Sequence, residues 1–299
     1  MPDQETAEFR PVPERTSSTP WVFAAVLACA VAAGAAWWFW LRPGQQPPAP
    51  PPVVVAPSAP AAPPPMPEAS GPQNPVDALA PADAALPALA ASDKRVTELL
   101  AELLGRDKLT AFLLTDGFVR RVVATVDNLG RAQAPSRMWP VQPMPQRFVV
   151  NGEGDAPTTM AATNSARYSA FLTFAEAVPL EPAVALYARL YPLFQQAYEE
   201  LGYPKRYFND RLVAVLDHLL LAPEPQGLLR VKLTPVNTDV PNLRPWVRYE
   251  FVDPTLESLS SGQKILVRMG PANEARAKAL IRDLRKRVAT SEISRKPGQ

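Results

Sequence analysis

Residues 182–220, which read PAVALYARLYPLFQQAYEELGYPKRYFNDRLVAVLDHLL, predict two consecutive helices. In both halves of this stretch apolar residues recur three and four positions apart, which is the period of an amphipathic helix. Gly202 and Pro204 separate the halves, because glycine commonly follows the end of a helix and proline does not continue one. The stretch therefore predicts a mainly α fold.

The same helical period extends outward to the segments on both sides of this stretch. It recurs over Val96–Leu104 and Phe118–Leu129, and Pro271 begins a last, basic helix. Two apolar alternating runs, Leu228–Leu233 and Trp246–Val252, predict the strands of one β-hairpin. We therefore expect a single helical domain with a small β-hairpin over residues 92–290. Residues 291–299 are expected to form a disordered tail.

The segment before this domain has a different composition. Sixteen of the 45 residues from Pro43 to Pro87 are proline, and alanine makes up much of the remainder. Proline has no N–H to donate and restricts the residue before it, so neither helix nor sheet is expected there. We predict a disordered Pro/Ala-rich linker over residues 42–91.

An apolar segment near the N-terminus, residues 21–41, contains no charged residue. A helix of that length rises about 31 Å, which matches the hydrocarbon thickness of a bilayer. Aromatic residues at both ends and one following cation are typical of a membrane anchor: Trp21, Trp37, Trp38, Trp40 and Arg42. A cleaved signal peptide is the alternative, but the preceding tail, residues 1–20, carries more acidic than basic residues.

The charges that flank this segment predict its orientation. Arg10 and Arg15 precede it, whereas beyond Arg42 the next basic residue is Lys94. Because cytoplasmic flanks are rich in Lys and Arg, we expect the N-terminus inside and the domain outside the cytoplasm. Small residues at four-residue spacing would also permit self-association of the helix: Ala24, Ala28, Ala32 and Ala36.

The chain has few residues suited to metal or nucleophilic chemistry. It contains one cysteine, Cys29, which lies in the apolar segment, and one histidine, His218. A multi-histidine metal site, a Cys–His nucleophile pair and an intramolecular disulfide are therefore excluded within one chain. We expect no metal and no cofactor.

Several motifs in the domain resemble those of a bacterial family known only as a domain of unknown function. They include Tyr191-Pro-Leu-Phe-Gln-Gln-Ala-Tyr-Glu-Glu-Leu-Gly-Tyr-Pro204, Tyr207-Phe-Asn-Asp-Arg211, Leu216-Asp-His218, Thr125-Val-Asp-Asn-Leu129, Ser261-Gly-Gln-Lys264 and Arg268-Met-Gly-Pro271. In that family the domain also follows a membrane helix and a Pro-rich stretch. The resemblance implies a bacterial envelope setting, and it implies no activity. Together with the orientation predicted from the flanking charges, it favours a single-pass protein of the bacterial inner membrane with its domain in the periplasm.

Polar residues of these motifs are the candidate site. Tyr203, Asn209, Arg211 and His218 are the candidate binding residues. Three carboxylates, Glu199, Asp210 and Asp217, are the weaker candidates for acid–base catalysis. Capping of the second helix by Asp210 would also explain part of this pattern.

These observations favour a membrane-tethered binding or scaffolding module of the cell envelope over an enzyme. The sequence contains no nucleophile elbow, zinc-protease motif or phosphate-binding loop. The alternative is an envelope hydrolase that uses the paired carboxylates. Besides the lipid bilayer, the expected partners are an envelope protein or a cell-wall polymer; nucleic acid is not expected, since no recognition fold accompanies the basic helix.

Overall fold

The computed structural model describes residues 72–83, 85–152, 158–234 and 244–290, which all lie within one compact unit, Pro65–Gln299. The predicted membrane segment, most of the linker and the predicted C-terminal tail lie outside the described residues. The helices are α1 (Asp93–Leu104), α2 (Arg106–Phe112), α3 (Phe118–Leu129), α4 (Ala166–Glu176), α5 (Leu180–Glu200), α6 (Phe208–Leu220), α7 (Pro254–Glu257), α8 (Ser261–Arg268) and α9 (Pro271–Val288). The strands are β1 (Val150–Asn151), β2 (Thr159–Met160), β3 (Val231–Leu233) and β4 (Tyr249–Phe251).

The mainly α class predicted from the sequence is confirmed, and α5 occupies the larger core. Leu190 and Phe194 of α5 are buried together with Val119 and Val123 of α3. Phe208, at the start of α6, is completely buried and stacks on Phe194 with ring centroids 6.0 Å apart. Burying a side chain of this size stabilises the fold by about 1.5–3 kcal/mol, so these contacts fix α3, α5 and α6 against one another.

A second core joins α6 to the C-terminal half of the domain. Leu172 of α4, Val215 and Leu219 of α6, Leu266 of α8 and Ala277 of α9 are buried in one cluster. Helix α6 therefore contributes to two cores along its length, because Phe208, its first residue, belongs to the first.

The prediction of a single hairpin was incomplete, because the described residues contain two antiparallel strand pairs. β3 pairs with β4 in the register Val231↔Phe251, which confirms the hairpin expected over Leu228–Leu233 and Trp246–Val252. β1 pairs with β2, and an isolated bridge between Thr159 and Arg230 connects the two pairs. The β1–β2 pair escaped prediction because two-residue strands are too short to show alternation.

The predicted linker boundary at residue 91 is wrong for the part that the structure describes. Val76 and Leu89 are 1% and 2% exposed and belong to the larger core. Short 3₁₀ helices, Val76–Ala78 and Leu89–Ala91, place these side chains. Proline excludes regular helix and sheet, but it leaves an extended segment free to fill a groove with its apolar residues. Residues 72–91 are called the N-terminal segment below.

No single helix among the described residues is both long and apolar enough to cross a bilayer. One pair, Ala162–Glu176 with Leu180–Glu200, satisfies the length and composition criteria jointly across a bend of 78°.

Candidate functional site

A buried carboxylate on α3, Asp127, is the centre of the most concentrated polar cluster near the predicted site. Its side chain is 5% exposed, and Oδ2 lies 2.7 Å from Nη2 of Arg131. Oδ1 lies 3.1 Å from Nη2 of Arg211, which also donates to the backbone carbonyl of Asp127 at 3.0 Å. One carboxylate therefore positions two guanidinium groups. The Asp127 cluster comprises Asp127, Arg131, Tyr203 and Arg211, and His218 follows Arg211 by seven residues on the same face of α6.

Local chain geometry brings the two arginines to the same carboxylate. Arg131 follows Asp127 by four residues at the end of α3, a spacing that places the two side chains on one face of a helical turn. Arg211 lies in the first turn of α6, which packs on α3. Burial of a carboxylate without a partner strongly destabilises the folded state. The burial of Asp127 therefore depends on its pairing with arginine.

Tyr203 completes the cluster from the turn between α5 and α6. Its hydroxyl donates to Oδ2 of Asp127 at 3.3 Å and accepts a short hydrogen bond from Arg131. The ring stacks on Tyr198, with centroids 4.6 Å apart and planes 19° apart. Burial acts against the charged form of Arg131, but Asp127 and Tyr203 outweigh it and raise the pKa of Arg131 above its ordinary value. Arg131 therefore stays charged.

Not all of the polar atoms in and next to this cluster have hydrogen-bond partners. Within the described residues, the buried Nε of Arg211, the buried Nε2 of His218 and the buried Oδ1 of Asp127 have none, although Oδ1 is in ion-pair contact with Arg211. Arg131 binds its partners through Nη2, and its side chain is 52% exposed. Burial, together with the nearby charge of Arg211, lowers the pKa of His218, so its imidazole is neutral at pH 7. The cluster therefore carries one net positive charge and N–H groups that can still donate.

Helix α8 fixes the backbone next to this cluster. The N–H of Ser261 donates to the carbonyl of Arg131 at 2.7 Å, and the Ser261 hydroxyl donates to the carbonyl of Asn128 at 2.9 Å. Gln263 donates to the carbonyl of His218 at 3.0 Å. A side chain at Gly262 would collide with Leu219 and lie 2.9 Å from the carbonyl of Leu129. Only glycine permits this approach of α8 to the end of α3.

Two of the four predicted binding residues, Tyr203 and Arg211, meet at this cluster. His218 lies about 10 Å from Arg211 along the axis of α6. Asn209 is completely buried in a different network. Its Nδ2 donates to the carbonyls of Asn74 and Val288 at 2.9 Å each, and its Oδ1 accepts from Tyr187 at 3.1 Å. Asn209 therefore holds the N-terminal segment and the end of α9 together.

The three predicted catalytic carboxylates are not brought together. Glu199 is exposed and accepts from Gln195 at 2.8 Å, while Asp217 pairs with Arg285 at 2.7 Å. Asp210 accepts from the backbone N–H groups of Gln73 and Asn74, at 3.0 and 2.7 Å. Asp210 and Asp217 are also separated by about 10 Å along the axis of α6. No contact among the described residues favours the hydrolase alternative.

The capping role expected for Asp210 is also different in the structure. Helix α6 begins at Phe208 with Tyr207 as its N-cap, and its first two N–H groups donate to side chains of α5: Phe208 to Oε1 of Gln195 at 2.9 Å and Asn209 to the hydroxyl of Tyr191 at 3.2 Å. Asp210 instead satisfies N–H groups of the N-terminal segment, to which Tyr207 also contributes by accepting from the N–H of Val76 at 2.9 Å. The composition of that segment predicted a disordered linker, so no hydrogen-bond partner for Asp210 was expected there.

Sequence reasoning missed Asp127 and Arg131 as members of the site. A signal was present, because Asp127 follows the apolar stripe of α3 and Arg131 lies four residues further on. A carboxylate beside a buried stripe needs a cation, and Arg131 supplies one at helical spacing. The second cation, Arg211, is 84 residues away in the sequence and had no such local signal.

Fold and cluster together describe a small helical domain in which a buried carboxylate holds two arginines. Residues 118–285 match the model of a family described as Protein of unknown function (DUF3014), and since this is more than half of the chain, the chain belongs to that family. The resemblance to a family of unknown function is thereby confirmed. No curated protein and no solved structure matches the chain.

Proposed function

We propose that this protein is a membrane-anchored binding module of the bacterial envelope, and that the Asp127 cluster contacts an anionic group of an envelope protein. The observation that carries the proposal is the pair of guanidinium groups that Asp127 holds, with N–H donors still unused. Their charge exceeds that of the carboxylate by one, so a second anion is attracted to the cluster.

The geometry of these donors suits a carboxylate or phosphate oxygen. Arginine binds such groups through parallel N–H bonds, and Asp127 restricts the side chain of Arg131 before any partner arrives. A buried N–H without an acceptor costs about 1–3 kcal/mol, and an incoming oxygen that reached Nε of Arg211 would recover it. Leu201 is 42% exposed near Tyr203 and supplies apolar contact area beside the charged groups.

Anchoring is supported by the uncharged, Trp-flanked segment 21–41 and by the linker that follows it. Residues 43–71, which precede the first described residue, number 29 and in a fully extended polyproline conformation would reach about 90 Å. With the N-terminus inside, such a linker would let a periplasmic domain search for partners at a distance from the inner membrane. Association through Ala24, Ala28, Ala32 and Ala36 would increase the number of sites per assembly.

The topology is tested with a single new thiol. Cys29 is the only native cysteine, and in the Ala69→Cys variant a second one lies on the domain side of the anchor. A maleimide that passes the outer membrane but not the inner one should label this variant in intact cells. Wild-type protein controls for labelling at Cys29. Labelling only after lysis would place the domain in the cytoplasm and contradict an envelope function.

Partner binding is tested by photo-crosslinking from position 201 in living cells, with a photoreactive phenylalanine in place of Leu201. We expect a discrete adduct with an envelope protein that disappears in the Arg131→Gln variant. Arg95→Gln is the matched control, since it removes the same charge from a side chain of similar exposure, 44%, in α1. Absence of any adduct, or an adduct equally strong in Arg131→Gln, would contradict the proposed contact.

A further inference from the structure

A pocket of about 240 Å³ lies where the end of α8 and the start of α9 face the loop 225–229, and none of the Asp127 cluster lines it. Its walls are mainly apolar, with Met160, Leu229 and Val267 among them. The volume is below the roughly 300–1,000 Å³ of sites for drug-sized ligands, so a molecule of the size of an amino acid would fill it.

Two ionic side chains of opposite sign line this otherwise apolar pocket, Glu274 and Arg268. Glu274 is 1% exposed, and its Oε1 makes no hydrogen bond, although Nζ of Lys278 is 2.9 Å away. Arg268 donates from Nη2 to the carbonyl of Tyr249 at 2.8 Å, while its buried Nε has no hydrogen-bond partner among the described residues. Each ion thus retains capacity for one further polar contact.

The cation beside Glu274 is shared with other acceptors. Lys278 donates to the carbonyl of Ala222 at 2.7 Å and to Oε1 of Glu224 at 2.8 Å, while its Nζ lies 2.9 Å from Oε1 of Glu274 without a hydrogen bond. An ammonium group has three N–H donors, so two of the three are directed away from Glu274. Glu224 and Glu274 share this single lysine. The hydrogen bond and the charge of Lys278 lower the pKa of Glu224, and the charge of Arg282 adds a smaller effect in the same direction. Burial raises the pKa of Glu274.

The outer wall of the pocket is a short loop that is attached at both ends. Glu224 is bound by Lys278 at one end, and the carbonyl of Leu229 accepts from the N–H of Met160 at 2.8 Å at the other. Between these points Gly227 has φ +84, a conformation that favours glycine, and Leu228 is 76% exposed. The loop is therefore held at both ends, while its middle is exposed to solvent.

We infer that this pocket binds a free α-amino acid with an apolar side chain of about the size of leucine. The ammonium group would contact Glu274, the carboxylate would accept from Nε of Arg268, and the side chain would lie among Met160, Leu229 and Val267. A ligand with only one charge would leave either Oε1 of Glu274 or Nε of Arg268 buried without a hydrogen bond, which is unfavourable. A zwitterion satisfies both ions, and the apolar walls select its side chain.

The inference is tested with full-length protein and a panel of the L- and D-amino acids at about 10 mM, first by thermal unfolding and then by calorimetry. A ligand that binds only the folded state raises the melting temperature in a saturable way. We expect leucine-sized apolar amino acids to do so. The amine and the acid that correspond to leucine, 3-methylbutylamine and 4-methylpentanoate, should each bind at least about tenfold more weakly, which is about 1.4 kcal/mol.

Two variants separate binding in this pocket from binding elsewhere. Ala162 lines the pocket and is exposed, so Ala162→Phe should fill the entrance without disturbing the core, and binding should be lost. Ala170→Phe introduces the same ring at an exposed alanine of α4 outside the pocket and should bind as wild type does. The inference is overturned if no amino acid of the panel shifts the melting temperature, if Ala162→Phe binds equally well, or if the singly charged analogues match leucine.

Discussion

Two residues of the first turn of α6, Asn209 and Arg211, anchor two polar networks that differ in how completely their atoms are used. In the first, both N–H groups and the oxygen of the Asn209 side chain have partners, and all of them belong to the domain itself. In the second, Arg211 holds Asp127 through Nη2 but leaves its buried Nε without a partner among the described residues. Side chains two positions apart on a helix diverge by about 160°, which is why one turn can serve both networks.

The difference separates a structural role from a candidate binding role. A network whose donors and acceptors match has no capacity for a ligand, and it stabilises the fold by ordering the segments that it connects. A network with unused donors and an excess charge has such capacity, and half of the Arg131 side chain is open to solvent. We therefore place the binding surface on the Arg211 side of α6 and regard the Asn209 side as the attachment of the N-terminal segment.

The largest effect is expected at the carboxylate that both arginines share. Asp127→Asn removes the only anion that the cluster contains, so Arg211 is left partly buried without its counter-ion. Breaking such a pair from one side costs about 3–5 kcal/mol in the free energy of unfolding. Urea titration of the full-length protein measures this cost.

An exposed ion pair provides the control for that variant. Asp283 contacts Lys286 at 3.8 Å with both side chains more than half exposed, so Asp283→Asn should change stability by less than about 0.5 kcal/mol. Equal costs in Asp127→Asn and Asp283→Asn would show that the cluster is not a buried unit.

The second largest effect is expected in the network around Asn209, where every donor and acceptor of the amide side chain has a partner. Asn209→Ala leaves the carbonyls of Asn74 and Val288 without that donor, at about 1–3 kcal/mol for each group that stays unsatisfied. The N-terminal segment should then open more often, and hydrogen–deuterium exchange at residues 74–76 should accelerate. Asn128→Ala, which removes one hydrogen bond within α3, should leave this exchange unchanged. Unaltered protection at residues 74–76 in Asn209→Ala would contradict the attachment role.

A pair of glycines tests the backbone that supports the cluster. Gly262→Ala forces α8 away from Leu219 and the Leu129 carbonyl and should cost about 1–3 kcal/mol, like other overpacked sites. At Gly130 an added methyl would lie 3.6 Å from Arg211 and 3.8 Å from Val215, which are ordinary contacts. Gly130→Ala should therefore be neutral or stabilise by up to about 1 kcal/mol. The melting temperatures of the two variants should move apart, and similar shifts would refute the close approach.

The smallest effect concerns the protonation of His218. Burial and the charge of Arg211 lower the pKa of His218 below its ordinary value of 6.5 in the folded protein. As the pH falls through 6.5, the unfolded chain takes up the proton first, so the free energy of unfolding decreases with falling pH. His218→Gln should lack this part of the decrease. Stability curves of wild type and variant that stay parallel between pH 8 and 5 would contradict a buried neutral imidazole.

Much of the fold followed from local patterns in the sequence. The helical periods over Phe118–Leu129 and residues 182–220 placed α3, α5 and α6, because apolar spacing reports which face of a helix is buried. The alternating runs placed the β3–β4 pair for the same reason. The strands β1 and β2 have only two residues each, which is too short for an alternating pattern. Their pairing could therefore not be predicted in this way.

The candidate site could be predicted only in part. Tyr203, Arg211 and His218 were identified as polar residues within motifs. Asp127, which contacts Tyr203 and Arg211, was not identified. Ion pairing between Asp127 and Arg211 depends on the packing of α3 against α6, and no spacing within one helix encodes that contact. The same limitation explains why Asp210 was assigned to its own helix, whereas it binds the N–H groups of residues 73 and 74.

The sequence by itself determined the helical class, the separation of a proline-rich stretch from a foldable remainder, and the scarcity of cysteine and histidine. Each of these depends on composition or on spacing along the chain. Only the tertiary structure decided where the foldable part begins, since Val76 and Leu89 are buried by helices that are distant in sequence. It also decided which polar groups are matched and which are unmatched, because hydrogen-bond satisfaction depends on neighbours in space.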